Sequence, residues 1–377
     1  MKNDLIISNL FCYNENGDFM GDNDSIKQFD ELIGNYIQSI NKLMRHRTSN
    51  KVLFRLKSEF SSLLMAMSMS GVLVDVPDRF LANLERCNDE AIERKIRDLF
   101  VETYDTNFDY NMEIASISDE LTAIFGDGYV LDYHKPVSMS ETIKFASDFF
   151  DYYDKDIKKF YDKKIDDNKL FLVDAVDFPY DGITFPMPSQ YDSFILSGYD
   201  GTMNSCLTLI HEFIHSYVEE HKNENFDETL KGFVNNLGET YPRFIEYVFM
   251  HYLHEINFFD KEIRALEVNN DVTLMGFLDE YKTQLIFLDG LEIYKDDDLF
   301  TSFMDTEKYT YGHIVAYHYF QKYLKDPNRV KDNIYEFSLD DGKYDRSYLL
   351  NNYGLREREI TNTKKLVKDM KRHFNYK

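Results

Sequence analysis

The sequence predicts a mainly α chain carrying one small antiparallel β-sheet, and three observations carry that expectation. Apolar residues recur at three- and four-residue spacing along most of the 377 positions, the period of an amphipathic helix. Near residues 170–200 this texture gives way to short β-branched and aromatic runs separated by Pro179, Pro186 and Pro188, a pattern of strands joined by turns. With 28 Tyr, 31 Phe and 43% apolar residues, the chain can bury a sizeable core, which argues against disorder.

Taken in order, Ser25 can cap a helix through Ile26, Phe29, Ile33, Ile37, Ile40 and Met44. Leu53 to Met67 gives a second helix, ended by Gly71. Asp75 and Pro77 open a third, carried by Phe80, Leu84, Ile92, Ile96 and Leu99. Ser118-Asp119-Glu120 begins a short helix closed by Gly126, and Ser140-Glu141 a long one through Tyr161. The mixed-charge run Lys155–Lys169 reads as a solvated helix end or connector. It sets the expected boundary between an N-terminal helical part, 1–168, and a second part, 169–377. Strands are expected at Phe171–Val176, Gly182–Phe185 and Ser193–Ser197, with Gly198–Gly201 turning into the next helix. Further helices are expected near 240–258, 271–289, 301–325 and 358–375.

Charge excludes some functions. There are 43 basic and 67 acidic residues, a net charge of −24, so the chain is a poor candidate for binding nucleic acid or an anionic membrane. Cys12, Cys87 and Cys206 are widely spaced and form no disulfide or zinc framework, which suggests a reducing compartment. The N-terminal residues do not read as a signal peptide, and no run approaches the roughly 18 apolar residues of a membrane span. The expectation is a cytoplasmic protein.

The informative stretch is Thr208-Leu209-Ile210-His211-Glu212-Phe213-Ile214-His215. On a helix, His211 and His215 stand about 40° apart, one turn from each other, and can hold two corners of a tetrahedral zinc. Glu212 lies about 100° round the helix and can act on a water without binding the metal. A third ligand is needed. Glu219 continues the same helix face and can hardly close a tetrahedron around both His. Glu239, after Gly238 and at the head of a second apolar segment, suits a crossing helix better; Glu246 lies two turns further on.

His211-Glu212-x-x-His215, a Glu 28 positions after the first His and Glu246 seven further on resemble the oligoendopeptidase F and thimet oligopeptidase family. Ser193-Phe194-Ile195-Leu196-Ser197 followed by Thr208-Leu209-Ile210-His211 is similar to that family's strand, loop and helix entry. Tyr309-Thr310-Tyr311-Gly312 is similar to its Tyr-x-Tyr element. The likeness covers about 185–320. The chain departs at Ile214, where the family usually has Gly, at Val218, and around Thr301, where a His is missing. The resemblance implies a helical, two-lobed, zincin-type metallopeptidase whose 169–377 part is the catalytic lobe. It implies one Zn²⁺ per chain on His211, His215 and Glu239, with Glu212 as general base. It also implies Tyr311, with Tyr309 and His313 as rivals, as donor to the oxyanion. The expected substrates are short unstructured peptides, added as an extra strand along Ile195, Leu196 and Ser197. A dipeptidyl carboxypeptidase and an inactive peptide-binding relative are the competing expectations.

Overall fold

The computed structural model describes residues 94–95, 97–99, 111–125, 135–167, 169–174, 181–187, 192–222, 237–288, 297–356, 360 and 363–375. The helices expected over Ile26–Met44 and Leu53–Met67 lie outside the described residues. Of the third, only 94–95 and 97–99 are described, and they are helical.

The elements are, in chain order, α1 (Ile117–Phe125), α2 (Met139–Tyr153), α3 (Lys155–Asp166), β1 (Leu170–Asp174), β2 (Gly182–Met187), β3 (Asp192–Tyr199), α4 (Met203–His221), α5 (Thr240–Glu255), α6 (Asp260–Leu288), α7 (Asp297–Tyr323), α8 (Pro327–Asp340), α9 (Arg346–Asn352) and α10 (Lys364–Asn375). The fold is mainly helical with one small open sheet, as expected. The described residues group into two compact units, one of Pro136–His221 and one of Arg94–Lys135 with Lys222 onward.

The first unit is a sheet covered by helices. The expected long helix through Tyr161 is two helices. Ser138 caps α2 through a capping box with Glu141. Asp154 then takes an extended conformation and accepts from the amides of Asp156 and Ile157, at 2.8 and 3.2 Å, which ends α2 and starts α3. Phe150, Tyr161 and Phe213 meet at ring separations of 4.6–5.1 Å and join α2 and α3 to α4. Burying a side chain such as Phe213 contributes about 1.5–3 kcal/mol. The charge run is only partly solvated: Lys164 is buried, donates to Ser193 O at 2.7 Å and pairs with Glu220, whose side chain is 7% exposed.

The sheet has the order β1-β3-β2. It is mixed, not antiparallel: β2 runs antiparallel to β3, with Gly182 opposite Ser197 and Pro186 opposite Ser193, but β1 runs parallel to β3, with Leu170 opposite Ile195. Parallel pairing needs a long connection, and the stretch between Asp174 and Asp192, with β2 inside it, provides one. Strand β3 is therefore the middle strand, paired along both edges. It cannot offer the free edge expected at Ile195, Leu196 and Ser197, whose side chains are also buried. Among the described residues β2 has one partner strand, and Pro186 within it suits an edge.

The second unit is helical. Phe244 of α5 meets Tyr319 and Tyr323 of α7 edge-on, and Tyr247 stacks on Phe320 at 5.5 Å. Phe277 of α6 stacks on Tyr309 of α7 at 4.8 Å. Helix α6 starts well before the expected residue 271, with Asp260 and Glu262 in its first turn. The expected gap between residues 325 and 358 holds two helices. Asp326 caps α8 with Pro327 in its first turn, and Asp345 caps α9. Helix α10 docks on α6 through His373, whose Nδ1 lies 2.7 Å from Asp271.

Candidate metal centre

Helix α4 carries the paired imidazoles. Its apolar face is anchored by Cys206, Leu209, Ile210 and Phe213, all buried, so its rotation is set by packing on β2, β3, α2 and α3. That rotation brings His211 Nε2 and His215 Nε2 to 3.2 Å from each other. Two nitrogens on a tetrahedral zinc, each about 2.0–2.1 Å from the ion, stand about 3.3 Å apart. The spacing thus fits a shared zinc.

Glu212, one residue on, is 8% exposed. Thr184 of β2 donates to it, with Oγ1 2.9 Å from Oε2 and 2.7 Å from the backbone oxygen. Gly182 lies against its stem: a Cβ there would stand 2.5 Å from Glu212 Cγ. Neither β2 residue was singled out by the motif, because their role depends on which strand faces the helix.

Glu239 is buried in the turn that opens α5. Lys308 of α7 reaches Glu239 Oε1 at 3.4 Å, its side chain 26% exposed. Burial pulls the Lys308 ammonium down, but Glu239, then Tyr309 and Asp305, outweigh it and leave the group above its ordinary range. Gly312, one turn beyond Lys308, lets α7 approach closely: a Cβ there would come within 2.6 Å of Glu239 Cβ. Glu246 is buried and forked to Arg243 Nη1 at 2.9 and 3.0 Å.

His211, His215 and Glu239 each offer one ligand atom, all within 4.8 Å of one another. Glu219 is not in this group. The donor set, two imidazole nitrogens and one carboxylate oxygen, is consistent with a metallopeptidase zinc site.

The remaining expected site residues are placed as follows. Tyr311 is fully buried; its hydroxyl donates to Asn111 Oδ1 at 2.6 Å and its ring lies 3.8 Å under the Arg346 guanidinium. Arg346 also pairs with Glu307 at 3.0 Å. His313 is buried, edge-on to Phe277. Tyr309 stacks on Phe277, with Lys308 4.8 Å and Arg243 5.8 Å from its ring centre.

No family model and no curated protein matches the chain. Among solved structures, PZ peptidase A with an inhibitor superposes with a TM-score of 0.50 at 12% identity, over 99% of this chain and 75% of that one. A candidate oligoendopeptidase F from Bacillus anthracis str. Ames gives 0.48 at 13% identity, over 99% and 72%. A candidate peptidase from Chlamydophila abortus gives 0.45 at 11%, over 99% and 72%. The fold is thus shared, at low identity, with a peptidase. Among the described residues no helix is long and apolar enough to cross a membrane.

Proposed function

We propose that this chain is a zinc-dependent oligopeptidase that hydrolyses internal bonds of short unstructured peptides. The observation that carries the reading is the 3.2 Å separation of His211 Nε2 and His215 Nε2, the bite of a shared zinc, with Glu239 in the same ligand group. His211, His215 and Glu239 would hold the ion. Zinc at such a site supplies Lewis acidity, polarising a carbonyl and acidifying water. Glu212 takes one proton from the attacking water as the C–O bond forms. It returns that proton to the leaving nitrogen as the C–N bond breaks, so it ends as it began.

The extended substrate backbone pairs with β2, the strand that carries an edge Pro and lies beside Glu212. Backbone pairing reads conformation more than side chains, so specificity is broad. For the oxyanion donor, Tyr309 is favoured over Tyr311 and His313. Tyr309 is next to Lys308 on the side of α7 that meets Glu239, whereas the Tyr311 hydroxyl is directed at Asn111.

Glu212→Gln tests the reading. It keeps size and hydrogen bonding but cannot carry the proton. The expected result is one zinc per chain, an unchanged fold and near-complete loss of cleavage of an internally quenched peptide. Substantial turnover by this variant would overturn the mechanism, and absence of bound zinc from the wild type would overturn the site.

A further inference from the structure

We infer that Thr184 is a positioning residue for Glu212, holding that side chain from β2 in the geometry the proton transfer needs. The inference rests on the reading of Glu212 as general base. Thr184 Oγ1 stands 2.7 Å from Glu212 O and 2.9 Å from Glu212 Oε2. A hydroxyl has one proton to donate, so it serves one oxygen at a time. Both acceptors belong to the same residue, and either bond ties Glu212 to the strand. The bond to Oε2 restrains the far end of a side chain with three rotatable torsions.

Gly182 supplies the complementary half. Residues two apart on a strand share a face, so Gly182 and Thr184 both meet α4. At Gly182 a Cβ would stand 2.5 Å from Glu212 Cγ and 3.0 Å from Thr208 Cγ2. The absent side chain makes room for the glutamate stem, and the hydroxyl meets its head. A strand that only packed on the helix would need neither feature. Misplacement of a reacting group by about 1 Å costs as much as 10²-fold in rate, so a lost restraint falls on turnover more than on substrate affinity.

The test uses the full chain with zinc bound. Thr184→Val keeps shape and removes the donor; Thr184→Ser keeps the donor and removes a methyl. Thr184→Val should lower kcat roughly 10-fold with KM and zinc stoichiometry unchanged, and Thr184→Ser should recover most of the loss. A role in packing alone predicts the reverse ranking. A second measurement needs no catalysis: urea unfolding of the metal-free protein, with Thr184→Val made in wild type and in Glu212→Ala. If the hydroxyl holds the carboxylate, the midpoint shift in wild type shrinks in the Glu212→Ala background. Equal shifts in both would mean that the hydroxyl serves only the backbone oxygen, and would overturn the inference. If the wild type cleaves no peptide, the peptidase reading falls while this cycle still decides the contact. If it does cleave, full activity in Thr184→Val sinks the inference and leaves that reading standing.

Discussion

Gly312→Ala probes how α7 supports Glu239. The added methyl would stand 2.6 Å from Glu239 Cβ and 3.2 and 3.4 Å from its backbone C and Cα. Carbon atoms rest at about 3.5–4.0 Å, so one partner must retreat by about 1 Å. The nearest atoms are Cβ and main chain, which no rotamer change can move aside. Alanine gains about 1 kcal/mol over glycine in a helix interior, and overpacking costs about 1–3 kcal/mol. The net expected loss of stability is about 0–2 kcal/mol, small enough for the fold to survive. The effect on the metal is larger. A carboxylate oxygen binds zinc at about 2.0–2.2 Å, so a shift of about 1 Å is half a bond length. Zinc affinity should fall about 10- to 100-fold, the range seen when groups supporting a ligand are removed. Chelator competition reads the affinity, and urea unfolding of the metal-free protein reads the stability. Wild-type zinc affinity together with raised stability would show that the helix simply welcomes the alanine, and would refute the close approach as a support for Glu239.

Other outcomes follow from the same contacts. Glu239→Ala should abolish stoichiometric zinc binding while Glu219→Ala retains it; the opposite result reassigns the third ligand. Tyr311→Phe should destabilise the chain by about 1–3 kcal/mol, because it strands the buried Asn111 Oδ1, and Tyr309→Phe should be the variant with the larger fall in kcat. Lys164→Met should cost about 3–5 kcal/mol by leaving Glu220 as an unmatched buried charge, and Lys164→Met with Glu220→Leu should recover most of it in thermal melts. Asp271 is pushed up to about 6 by burial, against the opposing pull of His373. His373 is raised despite its burial, because of Asp271 and Glu267. A folded-state value above the unfolded one gives stability that is present at low pH and lost as pH rises, so the melting temperature should fall as pH rises from about 4 through about 6, and further above about 6.5 as His373 loses its proton.

The chemistry of the site was legible where it is local. The His pair is one turn of one helix, and the helix follows from its apolar flanks, so His211, Glu212 and His215 could be read together. Glu239 needed the expectation of a second helix after Gly238, which α5 fulfils. Thr184, Gly182, Lys308 and Gly312 could not be read, because each acts on a residue brought near only by strand order or helix crossing. The parallel pairing of β1 was hidden for the same reason: short strands and nearby Pro suggest hairpins, and only the return path decides direction. Helix α8 was missed although its signal was present, with Asp326-Pro327 opening a run in which Val330, Ile334 and Phe337 are buried. Lys164 defeats composition outright, since nothing in a run of mixed charges marks the one that faces Glu220.

The surroundings of Glu239 and Glu246 bear on which carboxylate suits a metal. Both are buried near the start of α5 and lie two turns apart. Arg243 Nη1 touches both oxygens of Glu246 at 2.9 and 3.0 Å, the length of a charge-assisted hydrogen bond. A cation binding there would have to displace a guanidinium already held in place. At Glu239 the matching charge is Lys308, a flexible ammonium that meets one oxygen at 3.4 Å. That is looser than such a bond, and Lys308 can swing away along its four-carbon stem. The two carboxylates thus differ in their nearest cation, one Arg243 nitrogen bridging both oxygens of Glu246 and the Lys308 ammonium on one oxygen of Glu239. That difference favours Glu239 over Glu246 as the proposed third ligand, while Glu246 holds Arg243, whose guanidinium lies 5.8 Å from the Tyr309 ring centre.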